Sequence, residues 1–167
     1  MTHWFDLEPV GADFFDTAPH IFTYSIDLTA QPDDVWAGLT ADEPLAWCRL
    51  LTKVHYTSPR PYGVGTRRIA EVGGGAMQMR EKFITWDDET RRHSFYVEQS
   101  NVPLFQSFAE DYRVDELAVG SRLQWTFAFS PRPKLSLAVR GGLPVNSLIF
   151  SSFVRDTKRH FGSAPRH

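Results

Sequence analysis

Four titratable side chains fall in the apolar phase of otherwise alternating segments, and these are the residues of this sequence that can do chemistry. Over 105–116, Phe108, Glu110, Tyr112 and Val114 share one face, against Ser107, Ala109, Asp111 and Arg113 on the other. Over 76–86, Met77, Met79, Glu81 and Phe83 oppose Gln78, Arg80 and Lys82, with Ile84 and Trp86 blurring the end. Over 64–72, Val64, Thr66, Arg68, Ala70 and Val72 oppose Arg67, Ile69 and Glu71. A carboxyl set among Phe and Trp is deprived of water, which raises its pKa and suits it to proton transfer near neutrality. Glu110 is therefore a candidate general acid or base. Tyr112 is a candidate partner, either in proton transfer or as a donor to a ligand carbonyl. The other reading of Glu110 is a carboxylate hydrated at the open end of a groove, and of Tyr112 an ordinary core tyrosine with a polar tip. Arg68 and Glu81 can pair, either as a structural cross-strand contact or as a clamp on a ligand.

Hairpin register tests these faces. Pairing Val72 with Met77 across Gly73-Gly74-Gly75 brings Ala70 to Met79, Arg68 to Glu81 and Thr66 to Phe83. Pairing Val114 with Leu123 across the next hairpin brings Tyr112 to Trp125, Glu110 to Phe127 and, on the outside, Asp115 to Arg122. The strand over 120–131 places Leu123, Trp125, Phe127 and Phe129 on one face. In the strand over 92–99, Phe95 and Val97 are taken as inward. The polar set thus lies in a wall of Met79, Phe83, Phe95, Phe108, Trp125 and Phe127, faced by Phe150 from the C-terminal helix. Few polar anchors in an aromatic wall are the usual make-up of a small-molecule pocket.

Composition narrows the partners. The chain has 167 residues, 14% of them aromatic, including thirteen Phe and five Trp. That is enough for one domain with a sizeable core. A formal net charge of −2 provides no basic field for a phosphate backbone, so nucleic acid is not an expected partner. The single cysteine, Cys48, rules out an internal disulfide and a Cys-based metal cluster. The six histidines lack metal-ligand spacing. No metal or other cofactor is expected. The glycine run is not followed by Lys-Ser/Thr, and no Gly-x-Ser-x-Gly occurs. The N-terminus lacks an export signal, and Arg140, Gly141, Gly142, Pro144 and Asn146 interrupt the C-terminal apolar stretch, so stable membrane insertion is not expected. The reading is a cytoplasmic protein, with monomer and homodimer both left open.

The elements that position these residues come in a simple order. Residues 1–19 are acidic and aromatic without period and read as an arm or cap outside the main fold. Its Trp4, Phe5, Phe14 and Phe15 are candidates for an interaction patch. A strand covers 21–28. A helix comes next, with Pro32 in its first turn and Asp33 and Asp34 suiting its positive end. A second short helix is expected over 43–48, then six strands between 50 and 131 joined as an antiparallel meander. From Pro133 a helix starts weakly, is interrupted at Gly141–Pro144, and runs well from about Val145 to Phe161, where Phe150, Phe153, Val154, Thr157 and Phe161 share a face. The main domain is placed at 20–162, with a disordered tail at 163–167.

Three motifs carry a resemblance over roughly residues 21–161. Ile26-Asp27-Leu28-Thr29-Ala30-Gln31-Pro32-Asp33-Asp34-Val35-Trp36, Gly63-Val64-Gly65-Thr66-Arg67 and Gly120-Ser121-Arg122-Leu123-Gln124-Trp125 occur in order. Together they resemble the START / Bet v 1-like superfamily, in its polyketide cyclase/dehydratase and lipid-transport branch. The resemblance implies an α+β helix-grip fold: a seven-stranded curved antiparallel sheet around a long C-terminal helix, with two short helices between the first and second strands. It implies a hydrophobic or aromatic small molecule, of lipid, polyketide or isoprenoid type, held between sheet and helix. The branch shares no catalytic triad, so it transfers no catalytic residue. Two alternatives stand beside the ligand carrier: a cyclase/dehydratase-like enzyme using Glu110 or Tyr112, and an interaction module whose cavity is filled.

Overall fold

The computed structural model describes residues 1–163, with side chains for all of these outside 135–146. In chain order the elements are β1 (Phe5–Asp6), α1 (Phe14–Thr17), β2 (His20–Leu28), α2 (Pro32–Leu39), β3 (Leu51–Tyr56), β4 (Arg67–Val72), β5 (Met77–Asp87), β6 (Arg92–Ser100), β7 (Phe105–Glu116), β8 (Ser121–Pro131) and α3 (Ser136–Phe161). Seven strands form one antiparallel sheet in the order β2-β8-β7-β6-β5-β4-β3, and β1 adds to β6. The sheet curves into a half-barrel around α3, the helix-grip arrangement.

Short turns make neighbours of consecutive strands, and period-two alternation chooses the face that meets α3. Leu123, Trp125, Phe127 and Phe129 of β8 are fully buried on that face. Each such side chain contributes about 1.5–3 kcal/mol through burial. The β2–β8 ladder runs unbroken from His20↔Phe129 to Leu28↔Ser121 and joins the two ends of the domain. Pro32 opens α2 with Asp33 and Asp34 in its first turn, and Val35, Trp36 and Leu39 turn into the core. Among the described residues, no helix is long and apolar enough to cross a membrane.

The structure departs from the sequence reading in four places. Residues 43–48 form turns rather than a second helix. Pro44 disfavours helical backbone at Glu43, and Leu45 sits in the left-handed region at φ 60°. Turned this way, Leu45 is buried in the core. Next, α3 is one helix that continues through Gly141–Pro144. A proline removes one main-chain bond but need not end a helix whose other bonds persist. Third, β5 shifts register between Phe83 and Thr85, so Trp86 pairs with His93 and its ring reaches Phe83 and His93 on the inner side. An extra residue in a strand reverses the phase of the residues beyond it.

The fourth departure is the arm, which does not stand clear of the sheet. The β6–β7 ladder ends at Tyr96↔Ala109, and β6 shifts register against β5 in the next residues. Residues 5–8 enter the opening. Phe5 and Asp6 pair with Ser100 and Gln99, Leu7 N–H donates to the Glu98 carbonyl, and Glu8 N–H donates to that of Gln106. The Leu7 side chain joins the core, and Trp4 packs under the Arg80 guanidinium at 4.0 Å. The tail expected at 163–167 lies, from residue 164 onward, outside the described residues. Ser163 bridges Leu28.

Gly120 opens β8 at φ 75°, and a Cβ there would overlap the Leu28 carbonyl oxygen, which is backbone and cannot swing aside. Gly120→Ala is expected to cost about 2 kcal/mol or more, from left-handed strain and the displaced β2–β8 end. Urea denaturation measures it, and a loss under about 0.5 kcal/mol would contradict this packing.

Candidate functional site

The glycine turn between β4 and β5 sets Arg68 opposite Glu81 and Ala70 opposite Met79, the register expected from sequence. Arg68 Nε donates to Glu81 Oε2 at 2.5 Å, and both side chains are only 2% exposed. The guanidinium lies over the rings of Phe95 and Phe83, 4.4 and 5.0 Å from their centroids. Burial works against the Arg68 charge, but the Glu81 carboxylate together with the Tyr56 and Tyr112 oxygens more than offsets it, so the guanidinium keeps its proton. Burial in turn raises the Glu81 pKa, against the pull of Arg68. Arg68 Nη1 and the hydroxyl of its cross-strand partner Tyr56 are both buried, and the Tyr56 oxygen is the acceptor within reach of that guanidinium.

Glu110 lies between Phe95 on β6 and Phe127 on β8. Tyr112 O–H donates to its Oε2 at 2.6 Å, and Trp125 Nε1–H donates to the same oxygen at 2.9 Å. Oε1 has no donor among the described residues. Burial, and then the neighbouring Glu81 charge, lift the Glu110 pKa to about 7, against the two hydrogen bonds and Arg68. Burial and the Glu110 charge also push the Tyr112 phenol well above its ordinary range, so Tyr112 remains a donor. At neutral pH this site holds a carboxyl poised between two protonation states and a fixed ion pair, in an apolar enclosure.

These groups line one cavity between the sheet and α3. Of the residues singled out in the sequence, Arg68, Met79, Glu81, Phe95, Phe108, Glu110, Tyr112, Trp125 and Phe150 border it. Phe83 and Phe127 do not. Both are inward and buried, but Phe83 is packed among Arg68, Trp86 and His93, and Phe127 stacks on Phe150 at 3.9 Å. The sequence reading missed Leu45, Phe105, Ile149 and Phe153 as lining residues. The space that the centre of a water molecule can occupy is about 50 Å³. One ordered water needs roughly 10–15 Å³ on that measure, so the closed cavity takes a few waters or a small fragment.

His93 was also missed as an inner residue, although it is in phase with Phe95 and Val97. It is buried among Trp36, Phe83, Trp86 and Tyr112, with ring centroids 4.9–5.2 Å away. Burial and the Arg68 charge press its pKa down to about 3, so it is neutral. Cys48 packs beneath α3, and burial pushes its thiol up to about 12, which removes it as a nucleophile. Among the described residues, no three His, Cys, Asp or Glu side chains are grouped to hold a metal ion.

Known proteins resemble this chain in sequence or in fold. An uncharacterised protein of Mycobacterium tuberculosis is 37% identical over 163 residues, 93% of each chain. A START superfamily protein from Mycobacterium smegmatis superposes with a TM-score of 0.67 at 9% identity, over 85% of this chain and 97% of that one. The major latex-like protein 151 of Panax ginseng superposes with a TM-score of 0.62 at 17% identity, over 86% and 97%. Such distant likeness establishes the fold, and fold and family are consistent with hydrophobic ligand binding in a cavity. The profile of one family spans residues 19–152, from β2 into α3, and by that match the chain belongs to the polyketide cyclase / dehydrase and lipid transport family.

Proposed function

We propose that the chain binds a hydrophobic or aromatic small molecule, of lipid, polyketide or isoprenoid type, in the cavity between the sheet and α3. The observation that carries this reading is the cavity itself, an aromatic wall in which the buried groups Arg68, Glu81, Glu110 and Tyr112 border open space. A region serving only to pack is more stable with apolar side chains at such positions. The cavity is small, so a ligand of this class needs its aromatic wall to open further. Native mass spectrometry of gently purified protein, with titration by the neutral fluorophore N-phenyl-1-naphthylamine, tests the reading. The expected result is a retained apolar mass, or saturable fluorophore binding. A protein that carries nothing and takes up no fluorophore is a filled interaction module, and the ligand reading fails.

The Glu110 pKa of about 7 supports a second reading, in which Glu110 moves a proton on the bound molecule while Tyr112 orients it. Glu110→Gln would then lower turnover by roughly 10²–10⁴-fold with affinity little changed. Equal turnover by both proteins on a substrate bound in the cavity would exclude it.

A further inference from the structure

We propose that the head group this cavity accepts carries no negative charge: it is an uncharged oxygen, an alcohol or phenol hydroxyl, and carboxylates are rejected. The inference rests on the ligand reading above and deepens it. Arg68 is the only cation among the described residues that borders the cavity, and its Nε is already given to Glu81 at 2.5 Å. Glu110 adds a second acid with no cation of its own. Both donors on Glu110, from Tyr112 and Trp125, are spent on Oε2. A hydroxyl suits what remains. It donates to Oε1 of an ionised Glu110 or accepts from a protonated one, and it adds no charge. A carboxylate has no proton to give to Oε1. It would be a third acid against one guanidinium, in a setting with little water to screen it.

The groups facing Glu110 from the surrounding elements agree with this count. They are Arg68 on β4, Glu81 on β5, Tyr112 on β7 and the protonated Cys48 thiol from the turn before β3, while neutral His93 on β6 lies behind Tyr112. From β8 and α3, among the described residues, Trp125, Phe150 and Phe153 contribute rings.

The test is a matched pair with one ring body, 2-naphthalenemethanol and 2-naphthoate, titrated into the full chain. At about pH 8 the alcohol is expected to bind about 30-fold or more tighter, since an uncompensated buried carboxylate is strongly disfavoured. In Glu110→Gln the ratio is expected to fall to within about fivefold, because the competing charge is gone. A second arm needs no variant. Carboxylic acids titrate near 4, so 2-naphthoate stays ionised at about pH 5.5, while Glu110 takes up its proton. Naphthoate affinity should then rise about tenfold or more over its value at about pH 8, with the alcohol changing far less. Equal affinities, or tighter naphthoate at the higher pH, overturn the head-group inference and leave the ligand reading standing. Binding of neither compound at either pH overturns the ligand reading, and the inference falls with it.

Discussion

Arg68→Met is expected to destabilise the fold by about 3–5 kcal/mol, because it leaves Glu81 buried with no cation and Glu110 close by. The ion pair is completely enclosed, with each partner 2% exposed, so water cannot take over from the lost guanidinium. Packing is lost as well, since the guanidinium covers Phe95 and Phe83. The loss should shrink at about pH 5, where the unpaired Glu81 can be held protonated. The double variant Arg68→Met/Glu81→Leu should recover more than half of it, because the penalty is an isolated buried charge and not the absence of a bond. Urea denaturation of both singles and the double closes the cycle. Independent, additive losses from the two single changes would show that the pair is not coupled as its geometry requires.

Glu110→Gln is expected to grow more stable relative to the parent as pH rises. In the folded chain Glu110 keeps its proton up to about pH 7, and unfolded it releases it near 4.5. The native state therefore binds the extra proton between those values, and stability falls as pH rises through that window. The full loss is on the order of 3 kcal/mol and is constant above it. Glutamine has no such loss, and its carbonyl oxygen can still accept from Tyr112 and Trp125. His93 acts in the opposite direction. Neutral when folded, with its pKa pressed to about 3, and ordinary near 6.5 when unfolded, it loses stability as pH falls through that interval. The two slopes cancel where the windows overlap, so the parent chain alone hides both. The difference between variant and parent, measured by chemical denaturation at several pH values, isolates Glu110. A difference that does not change with pH would mean that this carboxyl is ionised throughout.

The polar constellation was legible because two features of the sequence fix it without tertiary information. A three-glycine turn sets the β4–β5 register and brings Arg68 to Glu81, and the short turn at 117–120 sets the β7–β8 register and brings Tyr112 to Trp125. The raised Glu110 pKa could be reasoned from its apolar neighbours alone. The illegible parts depend on breaks in the pattern. The shift past Phe83 reverses the phase that alternation assigns to Trp86, and the left-handed backbone at Leu45 replaces a helix turn with a loop pointing into the core. His93 was in phase with Phe95 and Val97, but the inward set was not carried back along the strand as far as His93. The cavity volume depends on how Phe127 stacks on Phe150, which no residue pattern encodes. The arm was misread for a similar reason: main-chain hydrogen bonds hold it, and they leave little trace in side-chain type.

That arm has a bearing on the order in which the molecule can be completed. Leu7 and Glu8 are synthesised early, yet their partners Glu98 and Gln106 emerge some ninety residues later. That segment must wait for the latter half of the chain before it can dock. A cut between residues 5 and 8 therefore acts on the weave of the half-barrel beside Phe105 and Phe108.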